Sequence, residues 1–296
     1  MKSGTVLIVG CGDIGTRVGE TLVGQGCRVV AVRRATDLLP AAFEAVAADY
    51  TEPGSLDFAA DLQPDYVLAI FNPAGRSEAG YRRGFSGAMD NLLRGLDGHR
   101  PRHVLMSSST RVFAERGGGW VDENSALTTD DAPALAIIDA EQALLRSGLP
   151  ASVVRFAGIY GATGGRLLAR IRRGELYPPE PLRYTNRIHR QDCSGFLLHL
   201  LGLARRGDTP APVYIGVDNL PAPRHEVDAW LAAQLGVEPA TAPAAGDAVE
   251  GARGPAGHRR CRNNALRESG YALRYPDYRA GYAALLESEE AGSTGC

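Results

Sequence analysis

Through the first half of the chain, short apolar, β-branched runs alternate with stretches of helical periodicity. Thr5–Val9 (TVLIV) is apolar without a break, the pattern of a parallel strand covered on both faces. Thr16–Gln25 puts Val18, Leu22 and Val23 on one helical face, and Gly26 stops it. Cys27–Val32 and the weaker Phe43–Ala48 read as the second and third strands, and Asp65–Phe71 (DYVLAIF) as the fourth. A long helix follows over Glu78–Leu96. Pro101 opens a fifth strand, His103–Ser107, and a helix over Ala134–Arg146 precedes a sixth, Ala151–Phe156 (ASVVRF). Strands and helices alternating at this spacing predict an α/β fold with a doubly wound parallel sheet.

The second half is less regular. Leu167–Arg173, Asp192–Arg205, Arg224–Leu235 and Asp277–Glu287 read as helices, with a short strand at Val213–Gly216. The expected organisation is a nucleotide-binding core over residues 1–157, then a smaller C-terminal α/β substrate lobe over 158–287, some segments of which return to the core. Residues 288–296 read as a flexible polar tail, and Glu238–Gly257, rich in Ala, Pro and Gly, as a surface loop. The glycine-rich stretch Thr110–Asp131 reads as an active-site loop.

Composition narrows the function. At 296 residues the chain suits one large domain or two unequal ones. With 44% hydrophobic and 22% charged residues, it is not a disordered chain. No apolar run reaches the ~18–20 residues of a membrane span. Met1-Lys2-Ser3-Gly4 leads straight into a strand pattern, unlike a signal peptide. The net charge of −2 argues against a general nucleic-acid partner. Cys11, Cys27, Cys193, Cys261 and Cys296 are scattered, with neither a C-x-x-C pair nor zinc spacing, so the expectation is reduced thiols in a cytoplasmic protein without a metal.

The strongest local signal is Gly10-Cys11-Gly12-Asp13-Ile14-Gly15, a G-x-G-x-x-G between a strand and a helix. In that context it is a dinucleotide fingerprint of the Rossmann type. Gly10 permits the tight turn, Gly12 leaves room for a pyrophosphate, and Gly15 lets the helix pack on the strand. Asp13 and Ile14 are counted with the cofactor-binding loop, and the free N–H groups and dipole of the helix that follows meet the phosphates. After the second strand, Arg33 and Arg34 stand where NAD-preferring sites carry an acidic residue, which favours the 2′-phosphate of NADP over NAD. Asp49 is placed for the adenine amino group, and Phe71, Asn72 and Pro73 for the nicotinamide side.

Taken together, these residues resemble an atypical or extended short-chain dehydrogenase/reductase of the NAD-dependent epimerase/dehydratase kind. The resemblance spans nearly the whole chain. It is carried by the glycine loop, by Ser107-Ser108-Ser109 with Val112-Phe113, and by Val121-Asp122-Glu123. Arg155-Phe156-Ala157-Gly158-Ile159-Tyr160-Gly161, Asn186-Arg187-Ile188-His189 with Asp192, and Tyr275-Pro276 complete it. It implies a catalytic hydroxyl at Ser109, with Ser108 or Thr110 if the register slips, and by analogy a homodimer.

One family feature is missing. The Tyr-x-x-x-Lys pair would fall at Pro133 and Ile137 when the helix is aligned on Glu141, and Lys2 is the only lysine in the chain. Tyr160 is the leading substitute for the proton donor, with Tyr81 and His189 as others; the resemblance also gives His189 a supporting role. Asp192 is expected to cap or orient the following helix. Arg183, Arg187 and Arg190 form either a receptor for an anionic substrate group or a solvated face. The expected function is an NADP-dependent oxidoreductase or epimerase on a small polar or sugar-like molecule. A non-catalytic NADP sensor, or a non-redox lyase or isomerase, is the alternative.

Overall fold

The computed structural model describes residues 4–162, 164–238 and 257–293. The chain begins β1 (Thr5–Val9), α1 (Asp13–Gly24), β2 (Arg28–Arg33), β3 (Glu44–Ala47), α2 (Phe58–Leu62) and β4 (Tyr66–Ala69). Next come α3 (Glu78–Arg82), a π-helical turn over Arg83–Gly87, α4 (Ala88–Gly95), β5 (His103–Ser109), β6 (Trp120–Val121), α5 (Ala132–Arg146) and β7 (Ala151–Phe156). The remainder is β8 (Gly158–Tyr160), α6 (Arg166–Arg172), β9 (Tyr184–Thr185), β10 (Arg187–His189), α7 (Arg190–Arg206), β11 (Val213–Gly216), β12 (Ala222–Pro223), α8 (Arg224–Leu235), β13 (Arg260–Cys261), α9 (Asn264–Glu268) and α10 (Tyr278–Ser293).

Seven strands form one parallel sheet in the order β3-β2-β1-β4-β5-β7-β11. The unbroken apolar run of β1 follows from cover on both faces. Leu7 and Val9 join a core with Met89, Leu92, Ile137 and Leu144, whereas Val6 and Ile8 join another with Val18, Leu22, Phe196 and Leu200. Each such side chain, fully buried, contributes about 1.5–3 kcal/mol. The winding reverses between β1 and β4. There the carboxyl ends of the strands open a crevice, the usual ligand position in such sheets.

β11 returns to the main sheet beside β7, and α7 packs on α1. The remaining C-terminal segments gather around a third core that includes Leu168, Ile171, Val227, Leu231, Tyr278 and Tyr282. Two small strand pairs, β8 with β10 and β9 with β12, edge this lobe. β13 pairs with β6 and ties the segment after residue 257 to the glycine-rich loop. Among the described residues, no helix is long and apolar enough to cross a membrane.

Several boundaries differ from the sequence expectation. α1 starts at Asp13, directly after the glycine loop, and β5 continues to Ser109. α7 starts at Arg190 because the His189 ring caps it, accepting the Gln191 N–H at 3.2 Å. Asp192 lies in the first turn of that helix as expected but is not its cap: its buried carboxylate accepts the N–H groups of Arg274 (2.7 Å) and Tyr275 (3.0 Å), pinning the 271–275 segment. The flexible tail expected from Ser288 is helical through Ser293, with Leu285 and Leu286 packed on the lobe core just before it. Residues 294–296, and nearly all of the 238–257 loop, lie outside the described residues. The five-residue helices α2 and α9 are too short to leave a periodic signal.

Candidate active site

The three glycines of the loop have three different surroundings. Gly10 has φ +83°, and a Cβ there would lie 2.3 Å from the Ile70 carbonyl oxygen. A Cβ on Gly15 would lie 3.1 Å from Ile8 Cγ2, so α1 rests against β1 at this point. A Cβ on Gly12 would meet nothing within 4 Å. The space that a pyrophosphate needs is therefore open, and Gly12 caps α1 with no side-chain acceptor on the first N–H groups. The Asp13 carboxylate turns back to Arg17 at 3.1 Å and to Arg190 at 3.7 Å, while Ile14 packs beside the second core. Burial pushes the Cys11 thiol up, which makes it a poor nucleophile.

Arg33 and Arg34 flank the same loop. Arg33 Nη1 donates to the Cys11 carbonyl at 3.5 Å. The Arg34 side chain is 81% exposed and lies 3.6 Å from the Asp49 carboxylate. Partial burial works to raise the Asp49 carboxyl. The N–H and hydroxyl of Thr51, with Arg34 and Arg83, outweigh it and hold the carboxyl below its usual range.

A cleft of about 500 Å³ opens at the ends of β4 and β5. Phe71, Asn72 and Pro73 line one side, and Ser109, Thr110 and Arg111 another. Tyr50, which the sequence reading did not single out, fixes the first group: it stacks on Phe71 at 5.2 Å and accepts the Asn72 N–H at 3.0 Å. Ser109 Oγ accepts the Arg111 N–H at 3.2 Å, which leaves its own proton free for a ligand oxygen. Ser108 differs, because its buried hydroxyl donates to Glu141. Glu141 also binds Arg155, 2.7 Å away, in an ion pair almost wholly removed from water. This network fixes β5 and β7 directly behind Ser109.

Two arginines of the cleft were also missed. Arg111 is held by Asp131 through bonds of 2.9 and 2.8 Å. Arg259 arrives from far along the chain and donates to the carbonyls of Thr110 (2.6 Å) and Phe113 (3.0 Å). Asn186 holds it there, donating to the Arg259 carbonyl and accepting the Cys261 N–H. Arg111 had a signal, its place two residues after Ser109. Arg259 had none, because the β6–β13 pairing and the bonds from Asn186 that bring it in join segments far apart in the chain.

From α5, Ile137 lines the cleft where the family's lysine would stand. The structure does not bring Tyr160 and His189 to this place. Neither is among the described residues lining the cleft. Tyr160 stacks on Tyr282 at 4.5 Å in the third core, and its buried hydroxyl has no hydrogen-bond partner among the described residues. Burial, with Asp218 and Tyr282 nearby, drives its phenol far above the ordinary value, which makes it a poor acid at neutral pH. His189 is held down at about 4 by burial and by Arg190, Arg17 and Arg274, so it is a neutral helix cap.

The three arginines read as one cluster separate in the structure. Arg190 faces Asp13 on α1, and Arg183 presents its carbonyl to the Arg224 N–H. Arg187 is buried in a second pocket with Arg166, Arg170, Arg173 and Arg224. Two of these charges are answered, Arg170 by Asp228 at 2.7 Å and Arg173 by Glu175 at 2.6 Å. Arg187 donates through Nη2 to Thr185 at 2.6 Å, and its buried Nη1 has no hydrogen-bond partner among the described residues. Thr185 lines both this pocket and the cleft, which makes the two neighbours.

No family model and no curated protein matches the chain. Solved structures do match. The chain is 32% identical to a protein of Methylobacillus flagellatus provisionally described as an NAD-dependent epimerase/dehydratase, with a TM-score of 0.81 over 98% of this chain and 100% of that one. It is 28% identical to a conserved protein of unknown function from Silicibacter pomeroyi, with a TM-score of 0.74 over 97% and 99% of the two chains. The human epimerase family protein SDR39U1, solved with NADPH, shares 21% identity and the fold, with a TM-score of 0.73 over 96% and 99%.

Proposed function

The chain belongs to the NAD-dependent epimerase/dehydratase family within the short-chain dehydrogenases/reductases, and from that premise we propose an NADP-dependent oxidoreductase or epimerase acting on a small polar or sugar-like molecule that carries an anionic group. One observation carries the reading: the Ser109 hydroxyl and the Phe71–Pro73 segment line a single cleft at the strand ends, beyond a glycine loop with open space at Gly12. The bound dinucleotide supplies hydride transfer. Gly10, Gly12, Gly15 and the first turn of α1 would hold its phosphates, and Arg33 and Arg34 would hold the 2′-phosphate. Ser109 donates to the reacting oxygen. The pocket beside Thr185 takes the anionic group, since Arg166, Arg187 and Arg224 line it together with Arg170 and Arg173. A cytoplasmic location fits the scattered cysteines.

A second reading has one specific support. No titratable side chain of α5 lines the cleft, as suits a nucleotide-responsive binding protein that does not turn over. The two readings separate in one experiment. NADPH and NADH are titrated by fluorescence, and a panel of sugars, aldehydes and ketones is followed by loss of NADPH absorbance. NADPH should bind about ten- to a hundredfold more tightly than NADH, as hydrogen bonds to a charged group of ~1.5–3 kcal/mol imply. The double variant Arg33→Ala/Arg34→Ala should lose that preference. Equal or tighter NADH binding by wild type would remove the NADP assignment, and no binding of either would remove the whole reading.

A further inference from the structure

We infer that Tyr81 on α3 moves the proton in this cleft, in place of the tyrosine missing from α5. The inference rests on the reading of the protein as a hydride-transferring enzyme. Among the described residues lining the cleft, the side chains with an ionisable proton are Tyr81, Arg111 and Arg259. Aspartate, glutamate, histidine, cysteine and lysine are absent from that lining. A guanidinium does not give up its proton in proteins, so the phenol is the remaining acid.

The surroundings of Tyr81 suit the role. Its ring stacks on Phe85 at 5.8 Å, and the Arg111 guanidinium lies 5.5 Å from the ring centroid. Arg111 is in turn fixed by Asp131, the cap of α5. The ring is thus clamped by a phenyl group and a cation, and that cation stands in the cleft that lacks the family's lysine. The Tyr81 hydroxyl has no hydrogen-bond partner among the described residues, whereas that of Tyr160 is buried against Gly281. α3 also sits unusually close to the nicotinamide-side segment. A Cβ on Gly80 would lie 2.6 Å from the Gly75 carbonyl oxygen, and one on Gly84 2.3 Å from that of Asn72. These two glycines let the helix carrying Tyr81 press onto residues 72–75.

In the reducing direction, Tyr81 gives its phenolic proton to the substrate carbonyl oxygen. The Tyr81 O–H bond breaks and a substrate O–H bond forms as the C=O π pair moves onto oxygen. A bound dihydronicotinamide would supply the hydride for the new C–H bond, so that the products would be oxidised nucleotide, an alcohol and a Tyr81 phenolate that solvent reprotonates. Ser109 donates a hydrogen bond to the same oxygen and keeps its proton.

The test pairs a chemical readout with a kinetic one. N-acetylimidazole acetylates accessible tyrosine hydroxyls, and peptide mapping locates them. Tyr81 should be acetylated in the free protein and protected at least tenfold by saturating NADPH. With NADPH and the diketone probe 9,10-phenanthrenequinone, Tyr81→Phe should slow NADPH oxidation by about 10²–10⁴-fold. Its NADPH affinity should stay within threefold, and Tyr160→Phe should behave as wild type. Acetylation of Tyr81 unaffected by bound NADPH, or a wild-type rate in Tyr81→Phe, overturns the assignment. Where the wild type does not reduce the quinone, protection alone decides. If wild type binds neither NADPH nor NADH, the functional reading fails first and the role of Tyr81 falls with it.

Discussion

Replacing the loop glycines one at a time separates a nucleotide cradle from an ordinary strand-to-helix turn. At Gly12 the backbone is extended, with φ −93° and ψ −154°, and an added Cβ meets nothing within 4 Å. Gly12→Val should therefore fold. Valine is a poorer helix cap than glycine by about 1 kcal/mol, and a stiffer unfolded chain returns about 0.4–1 kcal/mol. The melting temperature should stay within about 3 °C, at roughly 2–4 °C per kcal/mol for a chain of this size. Nucleotide binding should not survive. Displacing two charge-assisted phosphate bonds of ~1.5–3 kcal/mol each costs about 10²–10⁴-fold in affinity. Gly10→Ala should do the reverse. With φ +83° it forces a left-handed alanine, about 1–2 kcal/mol. Its Cβ also falls 2.3 Å from the Ile70 carbonyl, whose residue is bonded to β1 through Ile70 N–H and Val9 O. That variant should lose several degrees of melting temperature before binding is considered. The assay is NADPH titration beside thermal unfolding of the three proteins. A folded Gly12→Val that binds NADPH within threefold of wild type would refute the argument, as would equal loss of stability in both variants.

Other outcomes follow from the same geometry. Glu141→Gln strands Arg155 in the core, which costs about 3–5 kcal/mol and should lower the melting temperature by on the order of 10 °C; calorimetry showing a change under 2 °C would make the pair dispensable. His103, whose Nε2 donates to Ser152, is held down at about 4 by burial. Below about pH 6.5 the unfolded chain binds the proton that the folded protein refuses, so this histidine's contribution, up to about 3 kcal/mol, is present above pH 6.5 and lost toward pH 4. Urea unfolding of His103→Gln should show a flatter loss of stability over that window than wild type, and parallel curves would contradict the burial argument. Arg187→Leu should weaken binding of inorganic pyrophosphate at least tenfold by calorimetry, and a wild type that ignores pyrophosphate would argue against the anion pocket.

What the sequence reveals of this molecule depends on how local the signal is. β1, the glycine loop and α1 are contiguous, and each glycine has a separate steric duty, so pattern alone places the strand and the loop, although α1 begins three residues before the periodicity shows it. The same holds for β7 and β11, whose boundaries match the expectation. Helix ends are less legible because capping decides them, as His189 does for α7. Least legible are contacts made by distant segments. Arg259 reaches Thr110 across 149 positions, and no periodicity announces it. Tyr160 misled for the converse reason: it follows a core strand in sequence, but β8 carries it into the lobe core against Tyr282. Asp192 sits in the first turn of α7 as expected, yet its carboxylate bonds are to a segment about 80 positions away, which no local pattern shows.

The loss of the tyrosine and lysine leaves α5 with a structural task that explains why the helix is still built as it is. Asp131 caps its first turn, accepting the Ala134 N–H, and also fixes Arg111 in the cleft. Pro133 suits that first turn, where its missing N–H is no loss. Ile137 is buried in the first core, where an ammonium would be desolvated among apolar neighbours. One turn further, Glu141 binds both Ser108 and Arg155 and so registers β5 against β7. The helix therefore holds Ser109 and Arg111 in place without contributing a proton. An acid in this cleft has to come from another element, and α3, pressed onto residues 72–75 by Gly80 and Gly84, is the element that presents one.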